Sequence, residues 1–178
     1  MAYKRLFIWL EGTDDEMLFT KIFRPIFLLE YDWVEVRLYA SLKKGYVDRF
    51  ITSIDAMDAD YILVTDINSS PCISSKKEKI SERFEYVNKE KISVVIKEIE
   101  SWYIAGLNQA ESQRLKLPWI EQTNELTKEE FNKLIPTHFN SRIDFMLEIL
   151  NCYSIDVAIQ KNQSISYFVK KFIRSTAK

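Results

Sequence analysis

Acidic residues recur in this 178-residue sequence at the ends of apolar runs. In LFIWLEGTDDE, Glu11 directly follows such a run, and Asp14, Asp15 and Glu16 come close behind Gly12. YILVTDIN puts Asp66 at the end of a second run, with Asn68 two residues on. SVVIKEIESW puts Glu98 and Glu100 after a third. Carboxylates brought together repel and raise one another's pKa unless something positive sits among them. A hard divalent cation, Mg²⁺ or Mn²⁺, meets that need: it takes one or two protein carboxylates, keeps several waters and leaves room for substrate phosphates.

Part of the first cluster has a plainer explanation. Thr13 and Glu16 match the capping box that starts a helix, and Asp14 and Asp15 then fall in its first turn, where the macrodipole favours negative charge. Glu11 is outside that pattern, because no capping rule requires an acid directly after a buried strand.

The elements that must position these acids follow from periodicity. RLFIWL (5–10) and YILVTD (61–66) are compact apolar runs that predict buried strands, and WVEVRLY (33–39) alternates with period two. From Thr13, the positions Met17, Leu18, Ile22 and Phe23 change to helical spacing, as do Val47, Phe50, Ile51 and Ile54 after Gly45. ISSKKEKISERFEYV (73–87) predicts a charged surface helix, and ISVVIKEIESWYIAGL (92–107) a fourth strand running into a helix. Strand–helix alternation repeated four times implies an α/β fold: a mainly parallel four-stranded sheet flanked by helices. Right-handed crossovers then bring every strand's C-terminal end to one edge, where such sheets bind ligands. Glu11, Asp66 and Glu98 therefore share an expected edge. From Asn108 onward no strand is predicted. Phe139, Ile143, Met146, Leu147 and Leu150 mark one amphipathic helix, and Ile165, Phe168, Val169 and Phe172 a last one. The expected organisation is an α/β core over residues 1–107 with a helical extension, 108–178, packed on it as a single compact unit.

Composition narrows the function classes. Twenty-five Lys and Arg against 26 Asp and Glu give a net charge of −1, so no global basic excess advertises nucleic acid. Neither G-x-G-x-x-G nor G-x-x-x-x-G-K-[ST] occurs, so a metal-free phosphate cradle is not indicated. Cys72 and Cys152 are isolated and far from the single histidine, His138, which argues against structural zinc and for thiols in a reducing cytoplasm. No apolar stretch approaches the roughly 20 residues a membrane span needs. No serine or cysteine nucleophile has a local signature. Trp102 is expected in the core.

The acids carry a family likeness. EG after the first strand, an acidic D-x-D-like turn after the third and EIESW after the fourth resemble the TOPRIM fold, a Rossmann-like α/β architecture. The nearest likeness is to a small prokaryotic branch with an E-x-E-x-W signature, akin to the nuclease domains of OLD-family (overcoming lysogenization defect) proteins. The resemblance covers residues 4–107. It implies Glu11 as general acid/base or metal ligand and Asp66 as metal ligand. Asp15 matches the second acid of E-G-x-x-[DE], and Glu98 and Glu100 match the E-x-E-x-W pair. Where the usual motif has its second aspartate, this chain has Asn68, which ligates through its carbonyl oxygen but with one negative charge fewer.

The resemblance implies a Mg²⁺-dependent phosphodiester-processing protein, a nuclease of a prokaryotic DNA-handling or defence system, with Glu11, Asp66 and Glu98 as catalytic residues. DNA is favoured over RNA as substrate, and Lys43, Lys44, Lys76 and Lys77 are candidates to hold its backbone. Two alternatives stay open: a catalytically degenerate binding module working through a protein partner, which Asn68 favours, and a receiver-like phosphoacceptor domain centred on Asp66. A glutamate pair two residues apart shares a face only on extended backbone. If the helix begins at Ile99, Glu98 is the site residue and Glu100 a first-turn acid.

Overall fold

The structure, a computed structural model, describes residues 3–173. They fall into two compact units, Met1–Val95 and Ile96–Lys178.

The first unit is built on four strands, β1 (Arg5–Leu10), β2 (Trp33–Leu38), β3 (Asp60–Asp66) and β4 (Ile92–Val95), in the order β2-β1-β3-β4. Every pairing is parallel, so the strand ends that carry Glu11 and Asp66 lie on one edge. The central positions of β1 and β3 explain their continuous apolar runs: strands covered on both faces have no polar side to alternate. On one face Phe7, Trp9, Tyr61, Leu63, Ile92 and Val94 pack with Val47, Ile51 and Ile54 of α3 (Lys44–Ala56), and with Ile80 of α4 (Ile73–Arg83) and Phe84. A fully buried side chain of this size stabilises by roughly 1.5–3 kcal/mol relative to leaving it exposed.

Three local outcomes differ from the sequence expectation. Gly12, not Thr13, is the N-cap of α1 (Thr13–Leu18), and it makes no side-chain cap; Thr13 is already helical, so the Thr13–Glu16 capping box does not form. Beyond α1 the helix loosens into a π turn, Phe19–Phe23, before α2 (Arg24–Phe27). Pro25 accounts for this, since it has no N–H to donate and its ring clashes with the carbonyl one turn back. Finally, α4 ends at Arg83 rather than at residue 87, because Phe84 turns extended (φ −123°, ψ 112°) and is fully buried.

The second unit is helical: α5 (Glu100–Ala105), α6 (Gln109–Arg114), α7 (Lys128–Leu134), α8 (Arg142–Asn151), α9 (Ile155–Lys161) and α10 (Gln163–Phe168), with a last π turn over Val169–Ile173. Every residue of α5 is buried, and α7, α8 and α9 pack on it. That encirclement is why α5 groups with the helices that follow it, whereas the sequence division lay at residue 107. Trp102, expected in the core, is fully buried and donates through Nε1 to Ser164 Oγ at 2.7 Å. Asn162 caps α10 through Oδ1 and spends both amide hydrogens on Ser101 Oγ (3.3 Å) and Thr123 Oγ1 (3.1 Å). Ser141 caps α8, so Phe139 precedes that helix instead of belonging to it. Among the described residues no helix is long and apolar enough to cross a membrane.

Candidate functional site

Strand register decides what surrounds Glu11. Trp9 pairs with Arg37 on one side and Leu63 on the other. Two residues further on, Glu11 stands between Tyr39 and Thr65. Both hydroxyls donate to the same carboxylate oxygen, Oε1: Tyr39 at 3.1 Å, and Thr65 through a short hydrogen bond. Burial, and then the negative charge of Glu11, push the Tyr39 phenol well above its ordinary pKa, so it remains a proton donor to the carboxylate. Lys76, in the first turn and a half of α4, brings Nζ to 3.8 Å from the same oxygen and is only 8% exposed. The positive charge that carboxylates at this edge require thus includes a protein side chain. Because Tyr39, Thr65 and Lys76 all address Oε1, Oε2 is the Glu11 oxygen left to meet a water or a substrate.

The other acids of this unit have distinct settings. Asp15 is buried in the first turn of α1, with Oδ2 over Gly12, 3.5 Å from where a Cβ would stand there. Asp66 is the last residue of β3 and half-buried. Asn68 is exposed and left-handed (φ 49°), a backbone conformation that asparagine adopts more readily than most residues. Its side-chain amide donates back to the Asp66 carbonyl at 3.3 Å, so here it shapes the turn. Of the four lysines expected to hold a substrate backbone, Lys43 and Lys44 are exposed at the start of α3, Lys77 is half-buried on α4, and Lys76 is the one engaged with Glu11.

Glu98 and Glu100 belong to the second unit. Lys97 takes a left-handed conformation (φ 62°), which breaks the extended backbone and separates the two glutamates. Glu98 accepts the Lys128 N–H at 2.5 Å, where the N-terminus of α7 favours a negative charge. Ile99 caps α5, so Glu100 is its first residue, as the helical alternative required, but Glu100 is more than a first-turn acid. It is 2% exposed, pairs with Arg142 Nη2 at 2.6 Å and has Lys128 Nζ at 3.7 Å.

A divalent ion would find hard oxygen donors on neighbouring strand ends in Glu11 and Asp66, the one-or-two-carboxylate set that Mg²⁺ uses with water and substrate phosphate. Among the described residues no group of three or more His, Cys, Asp or Glu gathers closely enough to hold a metal without such help. Sequence reasoning missed Tyr39, Thr65 and Arg142. The first two were accessible as the residues flanking Glu11 once strand register is counted. Arg142 lies 42 positions from Glu100 and carries no local signal.

Comparison with known proteins adds the fold. No family model matches the sequence, and no curated protein matches it. Among solved structures, the C-terminal region of the Burkholderia pseudomallei OLD protein aligns over 100% of both chains with a TM-score of 0.52 and 15% identity. The corresponding region of the Xanthomonas campestris pv. campestris OLD protein aligns over 99% of this chain and 98% of that one, with a TM-score of 0.47 and 12% identity. The chain has the α/β fold of the OLD C-terminal region, with the parallel four-stranded sheet flanked by helices that the sequence predicts.

Proposed function

We propose that this protein processes phosphodiester bonds of nucleic acid, with DNA favoured over RNA, as a Mg²⁺- or Mn²⁺-dependent nuclease centred on Glu11. The observation that carries this reading is the oriented Glu11 carboxylate: two hydroxyls and an ammonium hold one oxygen, at the ligand-binding edge of an OLD-like fold. Glu11 and Asp66 would hold the ion, and Asp15 would add negative charge behind them. The ion, when bound, polarises a phosphoryl oxygen and lowers the pKa of a bound water. Glu11 would hold the ion through Oε2, the oxygen that Tyr39, Thr65 and Lys76 leave open. Tyr39 and Thr65 keep the carboxylate from rotating, which matters because small misplacements of a reacting group cost large factors in rate. Lys76 would reduce repulsion between the acids and an approaching phosphate.

The test is incubation of single- and double-stranded DNA and RNA with the protein and Mg²⁺ or Mn²⁺, comparing wild type with Glu11→Gln and Asp66→Asn. Cleavage by wild type with a loss of about 100-fold or more in both variants is expected, since each replaces a carboxylate that would hold the ion. Equal cleavage by all three proteins refutes the proposal. A second reading, a nucleic-acid or protein-binding module without catalysis, is favoured by Asn68 facing its own turn and by Lys76 neutralising Glu11. Calorimetry without any heat of Mg²⁺ or Mn²⁺ binding at millimolar concentration would select it.

A further inference from the structure

Strand β2 forms one edge of the parallel sheet, and among the described residues no strand lies on its far side. The opposite edge, β4, is four residues long and wholly buried. By contrast β2 runs six residues, its last four are half-buried, and Trp33 at its start is 48% exposed. Edge strands are commonly kept from pairing with another chain by proline, lysine or a bulge. WVEVRL contains neither residue, and its register with β1 is unbroken from Trp33 to Leu38. The ladder decides which groups face outward. Trp33 and Tyr39 donate their N–H groups inward, to the Lys4 and Leu10 carbonyls, so odd positions bond β1 and the even positions Val34, Val36 and Leu38 turn theirs away. Arg24 Nε reaches the Val34 carbonyl at 3.1 Å from that outer side. Side chains divide by the same alternation. The three even, apolar residues share one face, and Glu35 and Arg37 share the other, joined by an ion pair of 2.7 Å.

We infer that β2 pairs antiparallel with β2 of a second copy of this chain, about a twofold axis at Val36. The strand is its own complement in that register. Glu35 falls opposite the partner's Arg37, and Arg37 opposite the partner's Glu35, so each charge gains an opposite one across the interface. On the other face Val36 meets the partner's Val36 and Val34 meets the partner's Leu38, an unbroken apolar row. Val36 exchanges two N–H···O bonds with its mate. Val34 does the same with the partner's Leu38, since a carbonyl that accepts from Arg24 has a second lone pair. Moving the axis one residue either way sets Glu35 against Glu35 or Arg37 against Arg37, and like charges directly opposite are destabilising. The two sheets then join into one whose halves run in opposite directions, with the two Glu11 carboxylates at opposite ends. One pair of strand edges buries less than the roughly 1,200 Å² of a stable complex, so the dimer forms and dissociates with concentration. Pairing here needs neither Glu11 nor a metal, and stands or falls apart from the proposed chemistry.

Sedimentation equilibrium of the full chain, from micromolar to millimolar, should show the mass rising from 21.1 kDa towards twice that value. Glu35→Arg sets arginine against arginine in both cross-strand pairs, and Arg37→Glu sets glutamate against glutamate. Each should weaken self-association by at least about tenfold. An equimolar mixture of the two variants should recover it, because one then presents only positive and the other only negative charge at these positions. Loss of the ion pair within each chain is common to both variants and mixing cannot repair it. Val36→Pro should abolish the dimer and leave the circular dichroism spectrum unchanged, because the N–H it removes points away from β1. That variant decides the matter should a charge variant misfold. A chain that stays monomeric throughout overturns the proposal and leaves the edge to a strand of a different protein. A dimer indifferent to Val36→Pro, or folded charge variants that associate like wild type or do not recover on mixing, overturns it in favour of another surface.

Discussion

Replacing Arg142 with methionine keeps an apolar stem against Phe131, over whose ring the guanidinium lies at 5.4 Å, but removes the charge facing Glu100. The Glu100 side chain is 3% exposed and Arg142 Nη2 is 2.6 Å from it. At the effective dielectric of about 20 that suits such pairs, unit charges 4 Å apart attract by about 4 kcal/mol, and breaking a buried pair by removing one partner costs about 3–5 kcal/mol. Lys128 Nζ, 3.7 Å away on a half-exposed side chain, remains to offset part of this, so the lower end, about 3 kcal/mol, is expected. Glu100→Gln alone should cost about 1 kcal/mol, because Arg142 is a quarter exposed and can turn to water. The double variant should be no worse than about 1 kcal/mol, since it strands no charge.

Urea unfolding at pH 7, followed by tryptophan fluorescence, measures all three. A cost below about 1 kcal/mol for Arg142→Met, or a double variant as unstable as that single one, would refute the assignment of Glu100 as a carboxylate held by Arg142.

Gly106→Ala should destabilise by about 2–4 kcal/mol in thermal or urea unfolding, because its Cβ would stand 2.2 Å from two Tyr153 ring carbons. The ring cannot yield without losing the Tyr153 hydroxyl's bond to the Trp102 carbonyl at 2.9 Å. Burial lowers the Lys161 ammonium from its usual 10.5 to about 8. Between those values the unfolded chain binds the extra proton, so stability should rise as pH goes from 8 towards 10. Above about 10 the buried phenols of Tyr39, Tyr61 and Tyr153, all raised, contribute stability that is lost with further increase, and the slope should reverse. Urea midpoints across pH 7–11 check this, and Lys161→Met should abolish the rise between 8 and 10 without touching the later fall. Lys76→Met should tighten Mg²⁺ binding in calorimetry, since it removes the cation that competes at Glu11, while costing about 1 kcal/mol of stability. Tyr39→Phe should cut the cleavage rate by about tenfold with little change in substrate affinity, as expected of a residue that orients Glu11.

The apolar runs at 5–10 and 61–66 determined by themselves that β1 and β3 are covered on both faces, and the repeated strand–helix alternation determined a parallel sheet. Burial on a strand is a local property: it depends on which residues are apolar in succession, and any six residues display it. The placement of Glu11 and Asp66 at one edge follows from the same information. The company each carboxylate keeps is a different kind of fact. Tyr39 and Thr65 meet Glu11 across 28 and 54 positions because of strand register, and Lys76 because α4 crosses to that edge. Even the start of α1 was settled beyond its own sequence: Thr13 and Glu16 fit a capping box, yet the chain leaving β1 enters the helix one residue early, at Gly12. Glu98 and Glu100 show the division most sharply. Their spacing suggested one shared role, but the left-handed turn at Lys97 sends Glu98 to the first N–H of α7 and Glu100 to Arg142. Periodicity encodes which side of an element is buried, whereas a charge takes its meaning from partners that only the packing of distant elements brings within reach.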